Sequence, residues 1–270
     1  MQCVGLSLAL LAMAVALPVG AQEAFDAAQL AKRGVTFYAP FDGSVEPAYA
    51  RGAPEPVYLD SVDFVEGKIG QAALTRKGRE QELGKVKGRA SGLIYSAAGN
   101  LYGERGTLAY WFQPLYDADD PTIRSGSNST GPYLVNVSAV EDTYYHQFIR
   151  ANIKGGAFYF WVVDREGKSH GLSYSEGIQT WKRGQWHHLV MTWDATQGMR
   201  FYDNGDLKYS TWGEDPFPPA TPYKIAVGAS GPRERPTWTS SADAVYDELV
   251  MLDRAVSDEE VALLMQGRYL

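Results

Sequence analysis

Trp186-His187-His188-Leu189-Val190-Met191-Thr192-Trp193-Asp194, followed by Phe201-Tyr202-Asp203-Asn204-Gly205, is the stretch on which the fold turns. Its first part is a short apolar run rich in aromatic and β-branched side chains, the composition that suits a half-buried pleated surface. Asp203-Asn204-Gly205-Asp206 then supplies residues that tolerate positive φ, as a tight hairpin requires. Residues 199–210 therefore read as strand, turn, strand.

Outward from this hairpin the same texture continues in both directions. Short apolar or alternating runs, cut by Gly, Pro, Asn and Asp, mark candidate strands at 35–39, 72–74, 93–95, 106–113, 133–137, 145–152, 157–163, 171–174, 185–193, 199–202, 206–210, 224–227 and 244–252. Many short strands separated by turn signals predict an all-β sandwich or jelly roll. Lys154-Gly155-Gly156 and the 164–168 segment read as further hairpin turns, and the Pro-rich stretch 215–222 as a loop. A helix is predicted at the C-terminal end, where Ser257-Asp258-Glu259-Glu260 forms a capping box ahead of Val261, Leu264 and Met265. Ala-rich residues 22–33 read as a linker or short helix.

Composition narrows the function. The 270 residues carry a formal net charge of −7 and no basic run, which argues against nucleic acid as a partner. Residues 1–21 are apolar from Val4 to Val19 and end in Val19-Gly20-Ala21, so they read as a cleaved export signal, although no Lys or Arg precedes the apolar run. The expected location is extracellular or periplasmic. Cys3, the one cysteine, lies inside that segment; the mature chain is expected to be free of disulfides, thiolate catalysis and Cys-ligated metals.

Several segments, taken in order, carry a resemblance to a known family. Pro40-Phe41-Asp42-Gly43, the 67–73 segment with its Gly67-x-x-Gly70-x-Ala72 pattern, Gly106-Thr107-Leu108-Ala109-Tyr110-Trp111-Phe112-Gln113-Pro114, the Trp-His-His strand and its hairpin, Ile225-Ala226-Val227-Gly228, and Tyr246-Asp247-Glu248-Leu249 with the helix after it resemble the laminin-G-like domains of the concanavalin A-like lectin/glucanase superfamily. The resemblance runs from about residue 35 to the end. It implies a two-sheet antiparallel β-sandwich of the concanavalin A-like jelly-roll type, with one short C-terminal helix, over residues 34–270. That fold hosts lectins, adhesion domains, hydrolases and lyases, so function rests on the site.

Three constellations compete. The resemblance implies a structural calcium at Asp42 and Asp247, completed by a carbonyl of the 67–70 turn, since calcium takes carboxylate and carbonyl oxygens. Catalysis by a carboxylate pair has no strand-borne Glu-x-Asp-x-Glu string to use; Asp164 and Glu166 read as solvated turn charges. A lyase-type set is present in outline: His146, Phe148, Arg150 and Asn152 alternate along one strand, with Tyr159 and Trp161 on its expected neighbour. There Arg150 would neutralise a uronate, and His146 or Tyr159 would move the proton. The third constellation is aromatic. Trp181, Trp212 and Trp238, with Arg233 and Arg235, lie in loop-like segments where an indole could stack on a sugar. His187 and His188 are adjacent, hence on opposite faces, and are expected to pack with satisfied ring nitrogens.

The leading expectation is a secreted, non-catalytic module for carbohydrate or an extracellular protein, with structural calcium and no catalytic cofactor. A carbohydrate-active enzyme and a protein-docking module are the alternatives.

Overall fold

The computed structural model describes residues 27–76, 92–120, 132–141, 147–154, 156–229 and 242–268. Among them the chain forms two antiparallel sheets packed face to face. Sheet I contains β1 (Val35–Ala39), β2 (Tyr49–Ala50), β4 (Asp63–Glu66), β5 (Gln71–Thr75), β7 (Arg105–Pro114), β12 (His187–Asp194), β13 (Gly198–Asp203), β14 (Asp206–Ser210) and β16 (Ala244–Leu252). Its main order is β14-β13-β12-β7-β16-β1-β2, with β5 and β4 attached beside β16. Sheet II contains β3 (Pro56–Asp60), β6 (Gly92–Ser96), β8 (Tyr133–Ala139), β9 (Gln147–Lys154), β10 (Ala157–Val163), β11 (Ser169–Tyr174) and β15 (Pro222–Val227), in the order β11-β10-β9-β8-β15-β6-β3.

All the strands expected from the alternation are present, with ends moved by a few residues; 145–146 lie outside the described residues. Strands β2, β3 and β4 were not anticipated. None of their residues is fully buried, so they lack the apolar alternation that marks a strand packed on a core.

The main core lies between the sheets and is largely aromatic. Phe37, Tyr110, Phe112, Trp193, Phe201 and Tyr246 from sheet I meet Tyr95, Phe148, Phe158 and Phe160 from sheet II. Phe158 and Phe201 stack across the interface at 4.6 Å between ring centroids, and Phe148 meets Trp193 edge-on at 5.8 Å.

A second apolar cluster covers the outer face of sheet I. Leu30 of α1 (Ala27–Lys32) and Val261 and Leu264 of α2 (Asp258–Met265) pack with Val35, Ala109, Val190, Tyr202, Val250 and Leu252. The capping box is formed as expected: Ser257 Oγ accepts from the Glu260 amide, and Glu260 Oε2 accepts from the Ser257 amide at 2.9 Å. Both described helices therefore cover sheet I. No described helix packs on the outer face of sheet II, and none is long and apolar enough to cross a membrane.

Candidate functional site

Residues directly opposite each other in an antiparallel ladder share a face. On sheet II one such row crosses every strand: Tyr58, Ile94, Ala226, Asn136, Arg150, Trp161 and Gly171. The next row holds Tyr133, Asn152, Tyr159 and Ser173. The alternate positions, such as Val137, Ile149, Ala151, Phe160 and Val162, belong to the core between the sheets. These two rows therefore lie on the outer face.

Arg150 is the centre of this face. It is only 7% exposed, and its guanidinium lies 5.2 Å from the Trp161 ring and 5.3 Å from the Tyr133 ring. Such stacking holds a cation by the ring quadrupole while leaving its in-plane donors to be directed elsewhere. Tyr159 and Trp161 meet edge to face at 5.6 Å, and both remain half-buried. The indole lies across β11 because Gly171 has no side chain: a Cβ there would sit 2.1 Å from Trp161 Cδ1. Two amides complete the set. Asn136 is held by backbone, donating to the Ala229 carbonyl and accepting from the Ala151 amide. Asn152 is 1% exposed, and its Nδ2 has no hydrogen-bond partner among the described residues.

A second polar cluster lies on the outer face of sheet I, where β16 carries a bulge between Asp247 and Val250. Glu248 takes up the extra residue at φ 54°, so that Asp247 and Glu248 both point outward although they are consecutive. Asp247 Oδ2 accepts from the Lys68 and Ile69 amides at 2.8 and 2.9 Å, and Asp42 Oδ1 accepts from the Gln71 amide at 2.7 Å. The 67–71 turn thus draws the two expected carboxylates together. Asp247 Oδ1 is buried with no hydrogen-bond partner. Burial raises the Asp247 carboxyl to about 7, and Asp42 adds to the rise by charge repulsion. Glu248, which accepts from the Tyr38 hydroxyl, is raised to about 8 by burial and by Asp247 beside it.

The Laminin_G_3 family model, described as the concanavalin A-like lectin/glucanases superfamily, matches residues 88–262. This chain belongs to that family. Among solved structures, this laminin-G-like domain is similar to the ligand-binding domain of botulinum neurotoxin serotype D in complex with N-acetylneuraminic acid, at 13% identity and a TM-score of 0.62. The match covers 88% of this chain and 52% of that one. It is also similar to domain 4 of AbnA, a GH43 extracellular arabinanase from Geobacillus stearothermophilus, in complex with arabinotriose. That match has 18% identity and a TM-score of 0.57, over 86% of this chain and 98% of the other. A third similarity is to the binding domain of botulinum neurotoxin DC in complex with rat synaptotagmin II, at 10% identity, a TM-score of 0.60, and 87% and 52% coverage. The chain spans about half the length of the toxin domains it matches. No curated protein matches it.

The expected site residues of the laminin-G-like domain fare differently. Arg150 and Tyr159 are brought together on sheet II with Asn152 and Trp161; His146 lies outside the described residues, as do Arg233, Arg235 and Trp238. Phe148 was expected on the same face and is not there. An irregularity opposite Val137 and Ser138 turns it into the core beside Ile149. Trp181 is a clearer correction. It was read as a loop aromatic open to a ligand, yet it is fully buried, with its Nε1 donating to Asp203 Oδ2 at 2.9 Å and its ring against His187 at 4.6 Å. A short 3-10 turn, Ile178–Thr180, carries it inward. Trp212 is half-buried under the Arg200 guanidinium at 4.2 Å. Arg200 shares a ladder row with Thr192 and Thr107 on the helix-covered side of sheet I, so Trp212 is not part of the sheet II face.

Two histidine readings also change. His187 Nδ1 meets Asp203 at 3.2 Å, but His187 Nε2 and His188 Nδ1 are buried without partners among the described residues. Burial lowers His188 to about 4, so it stays neutral at ordinary pH while its ring packs on Trp111 at 5.0 Å. Asp164, expected to be a solvated turn charge, is 1% exposed. Its Oδ1 caps the 164–168 turn and its Oδ2 meets His170 Nε2 at 2.9 Å, while His170 Nδ1 meets Asp215 at 2.9 Å. The sequence offered no spacing signal for this Asp–His–Asp bridge, because Asp215 comes from a distant loop.

Proposed function

We propose that this laminin-G-like domain is an exported, non-catalytic module that binds carbohydrate on the outer face of sheet II. The observation that carries the reading is the pairing of Tyr159 and Trp161, half-buried rings, with the Arg150 guanidinium and the Asn152 amide on two adjacent ladder rows. An aromatic ring offers its face to the C–H side of a sugar, and the Arg150 guanidinium, itself buried, braces the Trp161 ring. These two rows contain no carboxylate, so they lack the acid–base pair that glycoside hydrolysis uses. Sugar complexes of two structurally similar domains, one with arabinotriose and one with N-acetylneuraminic acid, are consistent with the reading.

Calcium is the proposed structural ion. Asp42 and Asp247 would hold it, with backbone carbonyls and water completing the shell, because the described residues contain no cluster of three metal-ligating side chains. The buried, unpartnered Asp247 Oδ1 and the mutual repulsion of neighbouring carboxylates both favour a cation there. Residues 1–21 are the proposed export signal, and N-terminal sequencing of exported protein tests this.

The binding reading is tested by screening the purified mature domain on a glycan array and in polysaccharide-degradation assays. Saturable glycan binding without turnover supports it. Turnover of any polysaccharide would replace it with an enzymatic one.

A further inference from the structure

A groove of about 630 Å³ opens at the end of sheet I where β7 begins and β12 and β16 finish. It shares no residue with the sheet II face. Its volume falls in the range of small-molecule sites, and its walls are fixed by the fold. Arg105 and Asp194 are ladder partners at the ends of β7 and β12. Arg51 is pinned to Asp253 at 2.7 Å, which joins the segment after β2 to the end of β16. The Ala195 amide donates to the Glu104 carbonyl at 2.7 Å, and Trp193 Nε1 donates to the Tyr102 carbonyl.

The chemistry of the walls selects a ligand class. Two guanidiniums, Arg51 and Arg105, face three carboxylates, Glu104, Asp194 and Asp253, beside the half-buried Tyr102 ring. A strongly anionic ligand meets the three carboxylates, and a strongly cationic one meets the two guanidiniums. A neutral, hydroxyl-rich ligand meets neither penalty, because each hydroxyl donates to a carboxylate and accepts from a guanidinium. Asp194 turns one oxygen, Oδ1, to the Thr196 amide and hydroxyl at 2.8 and 2.6 Å, which fixes how its carboxylate is presented. Arg105 and Glu104 are exposed on the rim. From this arrangement we infer a second, independent site in this groove for a short neutral oligosaccharide, with Arg105 and Glu104 as its polar contacts and Tyr102 as its apolar wall.

The test is an NMR titration of the isotope-labelled mature domain with arabinotriose, cellotriose and trigalacturonate in turn. A neutral trisaccharide is expected to move the backbone amides of Tyr102, Glu104, Arg105 and Thr196. Arg105→Ala and Glu104→Gln each weaken that binding roughly tenfold, the size of one hydrogen bond to a charged group. Trp161→Ala leaves it unchanged, so the groove is read separately from the sheet II face. The inference is overturned if groove amides stay still at millimolar neutral trisaccharide, or if only trigalacturonate moves them. Shifts confined to Tyr159, Trp161 and Arg150 would overturn it too while supporting the sheet II site. Should Arg105→Ala fail to fold, the wild-type shift map and Glu104→Gln still decide.

Discussion

Removing the charge at Asp247 should change how the stability of the domain depends on pH. Asp247 is fully buried, and its carboxyl is raised from 3.8 to about 7. The folded state therefore holds this proton more tightly than the unfolded chain does. Stability from this group is complete below about pH 4 and falls as pH rises, until the folded carboxyl has ionised above about pH 7. A rise of this size corresponds to ~4 kcal/mol, which in a domain of this length is ~10 °C in Tm. Glu248, raised to about 8, loses its proton over the upper part of the same window and pulls in the same direction. With calcium chelated, the wild-type Tm should fall between about pH 5 and pH 8 relative to Asp247→Asn, whose amide keeps the shape and drops the charge. On the proposed calcium site, calcium at about 100 times its Kd should restore ~2.7 kcal/mol to the wild type. That gain should be larger at the alkaline end, because ligating carboxylates must be deprotonated, and Asp247→Asn should lose it. Differential scanning calorimetry across this grid reads every term. If the two proteins share one pH profile in chelator, the electrostatic reasoning about this cluster is wrong.

Three further outcomes follow from the packing. Gly171→Ala places a Cβ 2.1 Å from Trp161 Cδ1, so the indole must swing away from Arg150; near-UV circular dichroism should change, with a stability loss of about 1–3 kcal/mol. An unaltered aromatic signal would mean that the indole does not lie across β11. His170→Ala leaves the buried Asp164 Oδ2 without its ring-nitrogen partner and should cost about 1–3 kcal/mol in urea unfolding; an unchanged midpoint would show the bridge to be unimportant. Ser257→Ala opens the capping box of α2 and should cost about 1 kcal/mol, while Ser257→Asp, another strong N-cap, keeps most of it.

The architecture was legible because its signals are local. The alternation from Gly106 to Gln113 and the Asp203-Asn204-Gly205 turn each specify one element, and the ordered family segments assemble them. The sheet II site was legible in part, since Arg150 and Asn152 alternate on one strand and Tyr159 and Trp161 on the next. Their meeting depends on register, which a sequence does not state: the irregularity beside Phe148 took that ring out of the face and left Arg150 in it. Trp181 was misread because its neighbours, Thr180 and Lys182-Arg183-Gly184, look like loop. Loop backbone and buried side chain are compatible when a partner such as Asp203 waits in the core for the indole N–H. The His170 bridge joins the β10–β11 turn to the segment after β14, a proximity set by the tertiary fold alone.

Isothermal titration of the purified domain with the best ligand from the glycan screen, repeated with Trp161→Ala and Tyr159→Ala, addresses the sheet II face most directly. Each substitution should weaken binding roughly tenfold, as expected when one stacked aromatic surface is lost, with the fold intact by calorimetry. Glycan affinity that survives the loss of both rings would place recognition elsewhere on the molecule.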